Sequence, residues 1–252
     1  MSETERLSRP GALRPDQAAL FLDLDGTLAA IAPRPQDVHP DMQRNQIIRD
    51  LRDRMGGRLA VISGRPLADI DRILDGAAYA AAGVHGLERR RADGVLLSAR
   101  PSPTLPRVRA ALNRMAEHWP GMLIEDKGLS VAAHFRGAPQ AAHQVAQTAA
   151  ALAADEGLTL QLGDMVAELR TPGPNKGEAL KAFMSEQPFG GAKPVFVGDD
   201  LTDEVAFIAA RELGGYGVLV GPGRPTSASY RLAEVPAVLD WLRAATNGSA
   251  AA

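Results

Sequence analysis

Cysteine is absent from the 252 residues, which excludes disulfides, thiolate nucleophiles and zinc–thiolate sites. Aromatic residues make up only 4% and no internal repeat is visible, so base-stacking platforms and solenoids are both poor readings. Charge of one sign is not in excess either. The 28 Lys and Arg against 30 Asp and Glu give no field that draws in nucleic acid or an anionic membrane, so an anionic ligand has to be caught by a local site. No stretch is long and apolar enough to cross a bilayer, and the opening MSETERLSRPGALRP has no apolar run of the kind a signal peptide carries. The expectation is a cytoplasmic monomer with neither nucleic-acid nor membrane partners. What is present is 45% hydrophobic residues, enough for a core in one large domain or two modest ones.

The run 18–24, AALFLDL, is short and apolar and ends in acid followed by Gly-Thr, the pattern of a buried strand that delivers its C-terminal end to a loop. A second such strand spans 58–62 and ends in Ser-Gly-Arg; Pro66 and the spacing of Leu67, Ile70, Ile73 and Leu74 then predict a helix. Weaker or later strands are expected at 77–82, 194–197 and 216–220, with helical patterns between the last two. Apolar strands alternating with helices indicate a parallel sheet covered on both faces. The middle is different. A helix over 105–118, two strands around a Lys-Gly turn within 122–135, an Ala-rich helix over 140–154 and two more strands at 158–162 and 165–169 read as a small antiparallel α+β layer. Pro-rich borders, PSPTLP and TPGP, mark it as an insertion.

Chemistry concentrates at the strand ends. Asp23-Leu24-Asp25-Gly26-Thr27 follows the first apolar run; the pattern DxDGT arises by chance in roughly one chain of this length in several hundred, so a plain Asp-Gly turn is the weaker explanation. Alternation places Asp23 and Asp25 on one side, with Gly26 turning the backbone above them. Two carboxylates so placed can divide a task, one attacking phosphorus and holding a metal, the other moving a proton. Ser63-Gly64-Arg65 opens a helix, where a hydroxyl and free N–H groups can receive phosphate oxygens. Taken alone it is equally a helix cap. Asn175-Lys176-Gly177 sets one cation at the start of a predicted helix over 177–187, which taken alone is also an ordinary cap. Asp199-Asp200-Leu201-Thr202-Asp203-Glu204 puts four acids in six residues; they repel unless a cation sits among them, and oxygen ligands from two strand ends suit Mg²⁺.

These four segments, in this order, resemble the motifs of the haloacid dehalogenase superfamily. The resemblance implies an α/β fold, a Rossmann-like core with a parallel sheet plus an inserted α+β cap. It implies Asp23 as nucleophile, Asp25 as general acid and base, and Ser63, Gly64, Arg65 and Lys176 as phosphate binders. Mg²⁺ would lie between Asp23, Asp199 and the backbone carbonyl of Asp25, with Thr27, Asp200 and Asp203 in support. The expected organisation is a flexible segment over 1–17, a catalytic core from 18–100 and 173–245, a cap over 101–172 that closes over the substrate, and a flexible tail over 246–252.

Further strings are similar to the trehalose-6-phosphate phosphatase family: AGVHGLE at 82–88, EDKGLSVAAHFR at 125–136, ELR at 168–170, GPNKG at 173–177, GDDLTDEVAF at 198–207 and the later VLVGPGRPTSASYRL. They imply a trehalose-phosphatase that makes trehalose and inorganic phosphate, with Glu125, Lys127 and Glu168 binding the disaccharide hydroxyls. An exposed hairpin salt bridge is the plain alternative for Glu125 and Lys127. His85 and Glu88 are expected near the mouth of the core site. Of His134 and Arg136, one is expected to face substrate, and spacing leaves open which. The family usually has Pro directly after Glu-x-Arg, whereas Thr171 stands there. Competing readings are a sucrose-phosphate or mannosyl-phosphoglycerate type of phosphatase, a silent sugar-phosphate sensor, and a receiver-like domain. The last would have no use for the insertion or for a second carboxylate.

Overall fold

In the computed structural model, which describes residues 7–247, the strand-and-helix alternation builds an eight-stranded sheet in the order β12-β11-β10-β1-β2-β3-β4-β5. Its strands are β1 (Ala18–Leu22), β2 (Leu59–Ile62), β3 (Ala80–Gly83), β4 (Glu88–Arg90), β5 (Leu96–Ser98), β10 (Lys193–Gly198), β11 (Tyr216–Val220) and β12 (Tyr230–Leu232). The pairs from β12 through β3 are parallel, and β4 turns back antiparallel on β3. Alternation along the strands sends Leu20, Leu22, Val61, Val195 and Val197 to one apolar cluster. There they meet α1 (Met42–Arg54), α2 (Leu67–Leu74) and α7 (Val235–Asn247) through Ile48, Ile70 and Trp241. Phe21, Ala60, Ile62, Phe196 and Leu219 go to the other cluster, against α5 (Lys176–Met184) and α6 (Glu204–Glu212). Because both faces are covered, the central strands read as unbroken apolar runs.

β1 has β10 on one side and β2 on the other. The chain order reverses at β1, and in open α/β sheets the crevice at the carboxyl ends of strands flanking such a reversal is where ligands bind.

The chain divides into two compact units, one formed by residues through Leu97 together with those from Pro174 onward, the other by Ser98–Gly173. The inserted unit is a four-stranded antiparallel sheet of order β6-β7-β9-β8, made of β6 (Leu123–Asp126), β7 (Ser130–His134), β8 (Thr159–Gly163) and β9 (Val166–Arg170), with α3 (Leu105–Ala116) and α4 (Ala142–Glu156). Val131, Ala133, Ala167 and Leu169 pack on the helices through Val108, Leu112, Val145 and Ala149. Alternation therefore gives the opposite face to Glu125, Ser130, Ala132, His134 and Glu168.

Residues 7–17 depart from the flexible segment expected there. Leu13 is buried, Trp241 Nε1 donates to Gly11 O at 2.8 Å and Arg231 N donates to Ser8 O, so apolar burial and backbone pairing hold the segment to the first unit. Residues 246–247 close α7; the rest of the expected tail, like residues 1–6, lies outside the described residues. Among the described residues no helix is long and apolar enough to cross a membrane.

Candidate active site

β1 ends at Leu22, so Asp23 and Asp25 stand in the loop beyond it and not on the strand as alternation predicts. Asp23 N donates to Val197 O at the end of β10, and Gly26 turns the chain at φ +76°. Asp23 is buried, while Asp25 is partly open. Asp25 carries a two-point ion pair: Arg65 Nε donates to its Oδ2 at 2.6 Å and Arg65 Nη2 to its Oδ1 at 2.7 Å. Arg65 Nη1 also donates to Pro35 O at 2.9 Å and lies 3.6 Å from Asp69. The guanidinium grouped above with the phosphate binders is thus committed to the proton-transfer candidate and the loop after it.

Lys176 is the first residue of α5, behind an Asn175–Glu178 capping box, which fixes where the side chain starts. Its buried ammonium donates to Asp23 Oδ1 at 2.7 Å and to Asp203 Oδ1 at 2.6 Å. Burial opposes a charge there, but the Asp203 and Asp23 carboxylates hold Lys176 protonated well above the usual lysine range.

The acidic run resolves into unlike roles. Asp203 is fully buried, and its Oδ2 accepts from the backbone N–H groups of Asp199 and Asp200. Asp200 accepts from Leu201 N. Glu204 pairs with Arg224 and accepts from Thr226 and Ser227. Only Asp199 is left with a buried oxygen, Oδ1, that has no hydrogen-bond partner. A β-carbon at Gly26 would lie 1.9 Å from Asp199 Oδ2, so glycine is what admits this carboxylate over the Asp25–Gly26 turn. Burial, with the charges of Asp203 and Asp25, raises Asp23 to about 7 against the pull of Lys176. Burial, then the Asp23 and Asp203 charges, raises Asp199 to about 9. Ligand oxygens of Asp23, Asp199 and Asp203 lie within 4.8 Å of one another. An all-oxygen donor set with one unsatisfied buried oxygen and an unbalanced negative charge fits a hard divalent cation. Asp203 joins the cluster, whereas the Asp25 side chain is directed to Arg65.

Ser63 follows β2 and is buried; its Oγ accepts from Arg65 N at 3.2 Å. His85 N donates to Ser63 O, and Val84 N to Arg65 O. Three successive residues here have positive φ: Val84 (+45°), His85 (+59°) and Gly86 (+111°). For a β-branched residue that conformation is an outlier that surrounding structure must enforce. The His85 ring lies so close over Gly64 that a β-carbon there would be 2.6 Å from Cε1. His85 therefore backs the Ser63–Gly64 segment. Glu88 is occupied with helix capping, accepting from Leu67 N at the start of α2, where negative charge is favoured. Thr27 is fully buried and its hydroxyl has no hydrogen-bond partner.

In the inserted unit the polar face gathers Glu125, Lys127 and Glu168. Lys127 Nζ donates to Glu168 Oε2 at 2.9 Å and Ser130 Oγ to Glu168 Oε1 at 2.5 Å. His134 Nε2 lies 2.8 Å from Glu125 Oε2. Burial would raise the Glu125 carboxyl, but the His134 hydrogen bond and the Lys127 charge bring it below the ordinary value. Of the two residues left open, His134 lies beside Glu125, whereas Arg136 is exposed and paired with Asp164. Ser130 and Arg224, which donates to Asp199 O and Asp200 O, were not singled out from sequence. Ser130 shares strand parity with Ala132 and His134 and was open to that argument; Arg224 meets its partners through a long loop, for which no local signal exists.

Comparison with known proteins fits this arrangement. A family model described as trehalose-phosphatase matches residues 21–236. The chain is 42% identical over 235 residues to the trehalose-6-phosphate phosphatase of Escherichia coli (strain K12), covering 90% of this chain and 86% of that protein. It is 39% identical over 223 residues to a probable trehalose-phosphate phosphatase of Sinorhizobium fredii, covering 88% and 83%. In fold it is similar to the C-terminal domain of the Candida albicans trehalose-6-phosphate phosphatase, with a TM-score of 0.83 at 22% identity over 92% of this chain and 93% of that one. With most of its length matched by the family model and by relatives above 30% identity, the chain belongs to the trehalose-phosphatase family.

Proposed function

We propose that this protein hydrolyses trehalose 6-phosphate to trehalose and inorganic phosphate through an aspartyl-phosphate intermediate. Asp23 Oδ1 is pinned by Lys176, which leaves Oδ2 to attack phosphorus. As the new O–P bond forms, the P–O bond to the sugar breaks and the leaving oxygen takes a proton from Asp25. Water then attacks phosphorus, its proton passes to Asp25, and the carboxylate of Asp23 leaves. Asp25 has to exchange its contact with Arg65 for the leaving oxygen, because both of its carboxylate oxygens accept from that guanidinium. Lys176, the Ser63 hydroxyl and Gly64 receive the phosphoryl oxygens. The Asp23 and Asp199 carboxylates and the Asp25 carbonyl would hold Mg²⁺, which would supply the positive charge that lets one anion approach another. Asp203 orients both Lys176 and the Asp199–Asp200 backbone, and Asp200 and Thr27 support the loops. The sugar is read by Glu125, Lys127 and Glu168 of the inserted unit.

The observation that carries this reading is the division between two carboxylates two residues apart, Asp23 bound to a buried ammonium and Asp25 to a separate arginine. The test is phosphate release from trehalose 6-phosphate and a panel of other sugar phosphates, with Mg²⁺ and with chelator. Magnesium-dependent release fastest from trehalose 6-phosphate is expected. Undiminished release after exhaustive chelation, or faster turnover of sucrose 6-phosphate, would overturn it.

A further inference from the structure

The polar face of the inserted sheet treats its two glutamates differently. Glu168 is held at both oxygens, by Lys127 and Ser130. Glu125 is held at one. In the β6–β7 register Glu125 stands opposite Ala132 and His134 opposite Leu123, so Glu125 and His134 meet along the diagonal, a span that long side chains bridge. Ala132, opposite Glu125 and two residues before His134, presents only a methyl to this face. With its pKa below the ordinary range, Glu125 is ionised and can only accept, so His134 Nε2 carries the hydrogen. Among the described residues Glu125 Oε1 and His134 Nδ1 have no hydrogen-bond partner, and the two side chains are 22% and 25% exposed. That leaves Glu125 Oε1 and His134 Nδ1 as two neighbouring polar atoms on one sheet face. Adjacent hydroxyls of a pyranose ring are two neighbouring donors.

We propose that His134 is a further specificity-determining residue, acting with Glu125 as one unit that takes two neighbouring hydroxyls of the sugar ring. His134 fixes the Glu125 rotamer through Nε2 and offers Nδ1 to the second hydroxyl. This rests on the reading of the chain as a sugar-phosphate phosphatase. A purely structural pair would instead stabilise the β6–β7 hairpin and affect every substrate alike.

The test compares kcat/KM for trehalose 6-phosphate with that for p-nitrophenyl phosphate in wild type, His134→Ala, His134→Gln, Glu125→Ala and the double variant, with Tm measured for each. The ratio of the two values should fall about 10- to 100-fold in His134→Ala, as expected for one or two lost hydrogen bonds to a charged or polar partner. His134→Gln keeps a donor for Glu125 but displaces the second acceptor, so its ratio should lie between those of wild type and His134→Ala. It also serves where His134→Ala fails to fold. In the double variant the loss should be well short of the product of the single losses, because each residue acts through the other. An unchanged ratio in His134→Gln and His134→Ala, or losses that multiply, would overturn the proposal. Should wild type prefer another sugar phosphate, the trehalose reading fails on wild type alone, and the same variants are compared on the preferred sugar. Should wild type release phosphate from no sugar phosphate, both readings fall.

Discussion

Each unit brings carboxylates around one lysine, yet the two sets of charges are balanced in opposite senses. In the first, Asp23, Asp199 and Asp203 surround Lys176 in a buried setting, and the excess negative charge raises Asp23 and Asp199. In the second, Glu125 and Glu168 share Lys127 and His134, and Glu125 is lowered. The same residue types therefore make a candidate cation site in one place and a charge-balanced hydrogen-bonding surface in the other. What decides is the count of opposite charges within a few ångströms and the access of water. The first arrangement suits phosphoryl transfer, which needs added positive charge. The second suits a neutral sugar, which needs oriented acceptors and donors.

The largest effect should come from breaking the first arrangement at its centre. Asp23→Asn replaces the attacking group by an amide, and kcat for every phosphate ester should fall by about four decades or more, given how slow the uncatalysed reaction is. Retention of a tenth of the activity in steady-state assays would remove Asp23 from the chemistry. Asp25→Asn should cost about 10² to 10⁴ in kcat on trehalose 6-phosphate. It should cost far less on p-nitrophenyl phosphate, whose leaving group needs no proton. Equal losses on both would argue against Asp25 as the acid.

A smaller effect sharpens the contrast in charge balance. A carboxyl whose folded pKa lies above its unfolded value binds more protons folded than unfolded, so its penalty is absent at low pH and grows as pH rises. For Asp199 the window runs from 3.8 to about 9. Metal-free protein should therefore lose stability as pH rises from about 4 toward 9, and Mg²⁺ should restore it. Asp199→Asn should stabilise the metal-free protein at pH 8 by roughly 1–3 kcal/mol, the scale of one unsatisfied buried polar group. It should also lose most of the Mg²⁺-dependent gain in Tm. Denaturant titrations with chelator and with Mg²⁺ measure both, and a less stable Asp199→Asn in chelator would contradict the charge assignment.

Much of this was legible in sequence, because the signals are local. The apolar runs that become β1, β2 and β10 each end in residues that form the core site. The inserted sheet announced itself through short turns and alternation. Less legible were β4 and β5: Glu88-Arg89-Arg90 is a charged run, and it forms a strand through antiparallel pairing with the nearby β3 and through Arg89–Glu186 and Arg90–Asp71 ion pairs whose partners lie 97 and 19 residues away. The positive φ of Val84 and His85 has no local signature, since neither residue favours it; the turn is imposed by hydrogen bonds to Ser63 and Arg65. Arg65 is similar. Its place in Ser-Gly-Arg beside the phosphate segment suggested a phosphate contact, but only the fold brings it to Asp25, 40 residues earlier.

The most direct test of the division between the two units is the ratio of kcat/KM for trehalose 6-phosphate to that for glucose 6-phosphate, in wild type and in Glu168→Ala. Polar groups left unpaired by the smaller sugar cost about 1–3 kcal/mol each, so the wild-type ratio should be about 100 or more and should collapse toward unity in Glu168→Ala. A wild-type ratio near unity, or a large ratio that survives the loss of Glu168, would contradict the assignment of specificity to the inserted unit.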